Sequence, residues 1–181
     1  RVLCRSGGRI AYFNPTEVDI QVDANGKRTD SLRAWWIGNM IGQDRTIREK
    51  MVLFWQNHFV TESVDVSDMR MAYRYNALLR ANALGNFRTL ARLVATDCAM
   101  LRYLNGYLNT NTAPDENYGR ELQELFTVGK DATGLPYYTE DDVKAAARVL
   151  TGYRINALTA TSYFDSTRHN TTDKLFSAYY G

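Results

Sequence analysis

Thr46-Ile47-Arg48-Glu49-Lys50-Met51-Val52-Leu53-Phe54-Trp55-Gln56-Asn57-His58-Phe59-Val60 is the stretch that decides how the rest of the chain is read. Thr46 with Glu49 three residues on makes a capping-box signature, which opens a helix running to about Val60. At 100° per residue, Met51, Val52, Leu53, Phe54, Trp55, Phe59 and Val60 spread around the whole circumference. A helix that is apolar all round is normally buried. Asn57 and His58 then sit in a core element, where an unpartnered amide or imidazole costs about 1–3 kcal/mol. Something polar elsewhere in the chain is expected to meet them.

Working outward, the neighbouring segments are also helical. Asp65 to Asp68 offers caps for a helix to about Leu84, closed before Gly85, and Asn86 starts another through Leu90, Leu93 and Val94. Asp97 begins a shorter one through Met100 and Leu104, ended by Asn105-Gly106. Pro114 suits the first turn of a helix to Val128, closed by Gly129. Thr139 with Asp142 caps a helix to about Leu150, with Val143, Ala146, Ala147 and Leu150 as its apolar stripe. Upstream, Ser31 caps a helix through about Ile41 that carries Trp35 and Trp36.

Before Ser31 the pattern changes. Arg9 to Phe13 is a short run ended by Asn14-Pro15, and Glu17 to Asp23 alternates as a half-buried strand would, followed by Asn25-Gly26 as a turn. The expected fold class is mainly α: a packed multi-helix domain with a small β hairpin or arm near the N-terminus and an irregular or extended C-terminal tail. The expected divisions are an arm over 1–30, a helical domain over 31–153 and a tail over 154–181. The chain opens on Arg1 and closes on the apolar stretch Phe176 to Gly181, which predicts a piece of a longer protein whose remainder, or a protein partner, covers its surfaces.

Composition narrows the function classes. Forty-five per cent hydrophobic and 23% charged residues over 181 positions describe an ordinary globular chain that buries a core without disulfide or metal staples. A net charge of +2, with the basic residues scattered, gives no nucleic-acid footprint. No apolar run reaches the length of a membrane span. Cys4 and Cys98 fit no metal spacing and read as two buried free thiols, with pairing left open. No phosphate loop, zinc signature or Gly-x-Ser-x-Gly elbow is present.

Three places carry candidate chemistry. The first is Asn57-His58. The second is the stripe Asn117, Arg120, Glu121 and Glu124, at i, i+3, i+4 and i+7, beside the apolar face of Tyr118, Leu122, Leu125 and Phe126. Turned inward, two carboxylates and an imidazole from another helix can bind a divalent metal, as in helical bundles; turned outward, they are solvated ion pairs. The third is Arg168-His169-Asn170. His58, Glu121, Glu124 and His169 are therefore the metal candidates, and His58, Glu121, Glu124 and Arg120 the catalytic ones. Twelve tyrosines suit half-buried helix packing or a sugar or protein surface.

Taken together, Arg48 to Met51 with Phe54 to Phe59, Asn117 to Gly129, Tyr138 to Val143 with Leu150 to Tyr153, and Phe164 with Arg168 to Asn170, Asp173-Lys174 and Phe176 resemble a bacterial family catalogued as domain of unknown function number eighteen hundred. Order and spacing agree over roughly residues 30–181. The family often has His where Gln56 and Phe126 stand, Trp where Tyr153 stands and Asp where Asn170 stands, so two potential ligands are missing here. The resemblance implies an exported, extracytoplasmic protein longer than this chain, often encoded beside a secreted sulfatase-like family, and no established activity.

Two readings follow. In the first, the chain is a structural or binding module of a cell-surface or glycan-handling system, with Asn57, His58, Asn117, Arg120 and Glu121 forming one buried polar network. In the second it is a hydrolytic enzyme, in which His58 is a ligand or general base, Glu121 and Glu124 are ligands or acid, and Arg120 holds an anionic group. Convergence of His58 and Glu121 beside an open cavity discriminates between them.

Overall fold

The structure, a computed structural model, describes residues 18–180, with side chains from Ala24 onward. Its first element, α1 (Val18–Gly42), runs through the segment expected to be an arm. The strand expected over Glu17–Asp23 is helical from Val18 on, and Asn25-Gly26 and Ser31 lie inside the helix instead of at a turn and a cap. The physical reason is that alternation over so short a window is ambiguous: residues i and i+4, such as Val18 and Val22, share a helical face as readily as a strand face. Tertiary contacts then decide. Asn25 Nδ2 donates to the Ser67 carbonyl at 3.2 Å, and Thr29 Oγ1 lies 3.2 Å from Met69 Sδ. The expectations for Arg9 to Pro15 and for Cys4 lie outside the described residues.

Seven further helices follow: α2 (Arg48–His58), α3 (Ser63–Val66), α4 (Met69–Asn82), α5 (Phe87–Ala95), α6 (Cys98–Tyr103), α7 (Glu116–Glu121) and α8 (Glu140–Val149). The caps read from sequence set most of their starts. Asp68, Asn86 and Asp97 accept the backbone N–H groups of Arg70, Thr89 and Ala99, and Thr139 with Asp142 forms a reciprocal capping box. Two starts differ. Pro114, expected in the first turn of α7, lies before the helix, which Asp115 caps by accepting from the N–H groups of Asn117 and Tyr118. The expected Thr46–Glu49 box does not form at α2, because Glu49 is turned inward and 5% exposed.

A further difference shapes the centre of the molecule. Instead of continuing as an α-helix, α7 widens into a π-helical turn over Leu122–Thr127. Val128 and Gly129 both donate to the Gln123 carbonyl, at 2.9 and 2.8 Å, and Gly129 closes the turn at φ +78°, where glycine is the residue without penalty.

Helices α2 and α4 to α7 enclose the core, which includes Val52, Phe59, Tyr75, Leu79, Leu90, Val94, Met100, Leu101, Tyr118 and Phe126. Helix α7 lies against α8 at Gly119: a Cβ there would stand 2.8 Å from the Val143 carbonyl and 2.9 Å from the Ala147 nitrogen. Helix α2 is less buried than its composition predicts. Val52 and Phe59 are fully buried, but Leu53 and Phe54 are 42% and 53% exposed. After α8, the tail folds as an antiparallel hairpin, β1 (Tyr153–Asn156) and β2 (Thr161–Phe164), with Tyr153 opposite Phe164. Arg70 and Arg74 of α4 hold its turn by donating to the carbonyls of Ala157, Leu158, Thr159 and Ala160.

Candidate functional site

His58 closes the last turn of α2. Its Nε2 lies 2.9 Å from the Phe126 carbonyl. A carbonyl only accepts, so Nε2 carries the proton and donates it to this bond. The rings of Phe59, Trp55, Phe87 and Phe126 surround the imidazole at 4.5, 5.9, 5.9 and 6.5 Å between centroids. The expected polar partner of His58 is therefore backbone, in the π turn, and its effect is to tie α2 to the end of α7. Asn57 beside it is exposed.

The stripe on α7 goes elsewhere. Asn117 is exposed. Arg120 makes a bidentate pair with Glu140 of α8, at 2.8 and 2.6 Å, and that hydrogen-bonded carboxylate raises its pKa. Glu124 is paired with Lys130 and with the hydroxyl of Tyr138, and these two bonds lower its pKa. Burial, followed by this Glu124 bond, pushes the Tyr138 hydroxyl up to about 12. Glu121 is half-buried. Asn57, His58, Asn117, Arg120 and Glu121 thus do not form the single buried network expected of them. The π turn separately takes Glu124 off the stripe: from Leu122 onward it breaks the 100° relation by which Glu124 was placed beside Glu121.

His169 belongs to a third neighbourhood. Its Nδ1 stands 2.9 Å from the Thr151 carbonyl and 3.2 Å from the Thr151 hydroxyl, and its ring meets Phe164 edge-on at 5.2 Å. Thr151 Oγ1 also accepts from the Asn170 N–H at 2.8 Å and donates to the Arg148 carbonyl at 2.7 Å. This histidine pins the tail to the end of α8. Gly152, at φ +91°, makes the approach possible, since a Cβ there would stand 2.8 Å from the Asp165 carbonyl and 3.2 Å from His169 Cβ. Among the described residues, no three His, Cys, Asp or Glu side chains gather as a metal site would need. Cys98 is buried and donates to the Ala160 carbonyl at 3.2 Å.

The strongest polar arrangements were not singled out from sequence. Glu49 receives Arg80 Nε at 2.6 Å, Arg80 Nη2 at 2.9 Å and Trp36 Nε1 at 3.2 Å. The Arg80 guanidinium also lies 4.7 Å from the centre of the Trp35 ring. The available signal was a lone carboxylate within the apolar helix, but a cap was the nearer explanation. Asp142 does more than cap α8. Its burial would raise its pKa, yet donors from Thr139 and Ser177 outweigh burial and hold it at about 2.

Two concavities open on the surface. One, of about 350 Å³, is an apolar groove floored by Phe87, Ala91 and Leu122 with Arg88 and Arg92 beside it. The other, of about 230 Å³, lies among α1, α2, α3 and α4. Asn76 lines it at 4% exposure, and its Oδ1 is sealed from solvent without a hydrogen-bond partner. No sequence signal marks Asn76, because its isolation depends on what four separate segments place around it.

The four sequence segments singled out above thus fall on α2, α7, α8 and the hairpin with its tail, all within one packed unit. The family model described as Protein of unknown function (DUF1800) matches residues 10–178. The chain belongs to that family. The match takes in all four of these DUF1800-like segments and begins upstream of α1. No curated protein and no solved structure matches the chain significantly. Among the described residues, no helix of this DUF1800 protein is long and apolar enough to cross a membrane.

Proposed function

We propose that this chain is a binding module of an extracytoplasmic bacterial protein, part of a cell-surface or glycan-handling system, and that it is not the catalytic centre of a hydrolase. One observation carries this reading: the imidazole of His58 is committed to the Phe126 carbonyl at 2.9 Å within a ring of aromatic side chains. Donation from Nε2 leaves the Nδ1 lone pair as the one a general base or metal ligand would use, and what surrounds that ring is the aromatic side chains of Trp55, Phe59, Phe87 and Phe126. Of the carboxylates that would assist it, Glu124 is engaged with Lys130 and Tyr138, and the candidate anion-holding Arg120 is paired with Glu140. The location outside the cytoplasm is what the family resemblance implies.

Elemental analysis of the purified chain beside its His58→Ala variant tests the reading. The expected result is no stoichiometric metal in either and a less stable variant. Stoichiometric metal in the parent that disappears in the variant would return His58 to a hydrolytic site. Fractionation of cells producing the natural protein tests the location, and recovery with the cytoplasmic fraction would remove that part of the proposal.

A further inference from the structure

The cavity among α1, α2, α3 and α4 combines two features that packing does not require. Asn76 is 4% exposed, and its side chain makes no hydrogen bond among the described residues. Gln56, Thr61 and Ser63 line the same cavity, and their side chains likewise have no bonded partner among those residues. Four neutral polar side chains are therefore left open at one place. An orphaned buried acceptor is uncommon enough in a folded protein to need an explanation.

The aromatic lining is different. Trp36 gives its N–H to Glu49 at 3.2 Å, and Tyr75 gives its hydroxyl to the Phe59 carbonyl at 2.6 Å. With its polar end engaged outside the cavity, the half-buried Trp36 ring has only apolar surface to offer it, next to Leu32 and Met69, while Tyr75, at 1% exposure, offers almost none. Apolar faces beside open amides and hydroxyls match a molecule with C–H faces and hydroxyl edges.

We propose that this cavity binds a neutral, hydroxyl-bearing ring of monosaccharide size. The proposal rests on the binding-module reading and names its ligand class. The Asn76 amide requires a donor at Oδ1 and an acceptor at Nδ2; because Oδ1 is sealed from solvent, the side chain has to turn towards the cavity for a ligand to reach it, and neighbouring hydroxyls of a sugar then supply both. The volume of about 230 Å³ lies below the ~300–1,000 Å³ usual for drug-sized ligands, which suits one ring and not a chain of them inside the pocket. Among the described residues, no carboxylate lines the cavity, and the one charged residue there, Arg33, has a side chain 68% exposed and 3.6 Å from Asp30. Glycoside cleavage ordinarily uses a pair of carboxylates, so the site binds without hydrolysing. The competing explanation is a hydrated packing defect in which water alone satisfies Asn76.

The test is titration of the full 181-residue chain with the methyl pyranosides of glucose, galactose, mannose and N-acetylglucosamine, followed by saturation-transfer NMR and tryptophan fluorescence. At least one is expected to bind saturably at millimolar concentration or tighter. Asn76→Leu removes the orphaned amide while keeping the shape, so it should lower affinity tenfold or more and leave the thermal midpoint unchanged or higher. Gln56→Leu reads the same site from another helix should Asn76→Leu fail to fold, and Asn57→Ala, exposed and outside the cavity, should bind as the parent does. No binding by any of the four glycosides overturns the proposal in favour of a hydrated defect. Binding that survives both leucine variants also overturns it, while leaving a binding module with its site elsewhere.

Discussion

His58 Nε2 and the Phe126 carbonyl meet at 2.9 Å across two segments that are 68 residues apart in sequence. The carbonyl stands near the end of the π turn, where helix carbonyls lack intrahelical donors. The imidazole therefore acts as a cap delivered from another helix. His58→Ala should lower stability by about 1–3 kcal/mol, through an unsatisfied carbonyl and lost ring contacts. Urea unfolding of the two proteins measures this. A difference below about 0.5 kcal/mol, the usual range for surface changes, would show that the bond does not hold α2 to the π turn.

Gly119 and Gly26 should respond oppositely to alanine. A Cβ at Gly119 would stand 2.8 Å from the backbone carbonyl of Val143, so α7 and α8 would have to separate. The expected loss is about 1–3 kcal/mol, as for overpacking generally. Gly26 lies within α1 with nothing inside 4 Å of such a Cβ. There alanine should stabilise by about 0.5–1 kcal/mol through helix propensity. Thermal unfolding of both variants checks the pair, and destabilisation by Gly26→Ala would contradict the helical assignment of that segment.

The Glu49–Arg80 pair joins α2 to α4, with Trp36 as a third partner from α1. Glu49 is 5% exposed, so removing one charge leaves the other poorly solvated. Glu49→Gln and Arg80→Met should each cost about 3–5 kcal/mol. The double variant Glu49→Gln/Arg80→Met should lose less than the sum of the single losses, since no charge is left unpaired. Strict additivity in urea unfolding would mean that the two residues do not act as a pair.

Two carboxylates give the stability profile opposite slopes. Burial raises Asp97 to about 6 despite the backbone bonds of its cap, so the folded state binds this proton more tightly than the unfolded chain does. Its contribution favours folding as pH falls from about 6 towards 4 and opposes folding above 6. Asp142 is held at about 2, so its contribution is complete above about 4 and is lost as pH falls towards 2. Relative to the parent, Asp97→Asn should be more stable at pH 7 than at pH 4.5, by about 2 kcal/mol. Denaturant unfolding across pH measures this, and a parent-to-variant difference independent of pH would refute the buried, raised carboxylate.

By itself the sequence determined the helical class and most helix boundaries, because these rest on local physics. Asp68, Asn86, Asp97 and Thr139 cap their own backbones within two or three residues, so no distant contact is needed to place them. The same locality made Glu17 to Gly26 ambiguous, since alternation and a turn dipeptide there compete with the contacts that α1 as a whole makes to α2 and α4. It also made Glu49 read as a cap when its partners, Arg80 and Trp36, are distant. Only the tertiary structure decided the polar assignments. His58 was legible as a group needing a partner, but a backbone carbonyl carries no sequence label, and the π turn that presents it departs from the 3.6-residue period. The open amide of Asn76 was less legible still: whether a buried side chain has a partner depends on every segment that surrounds it.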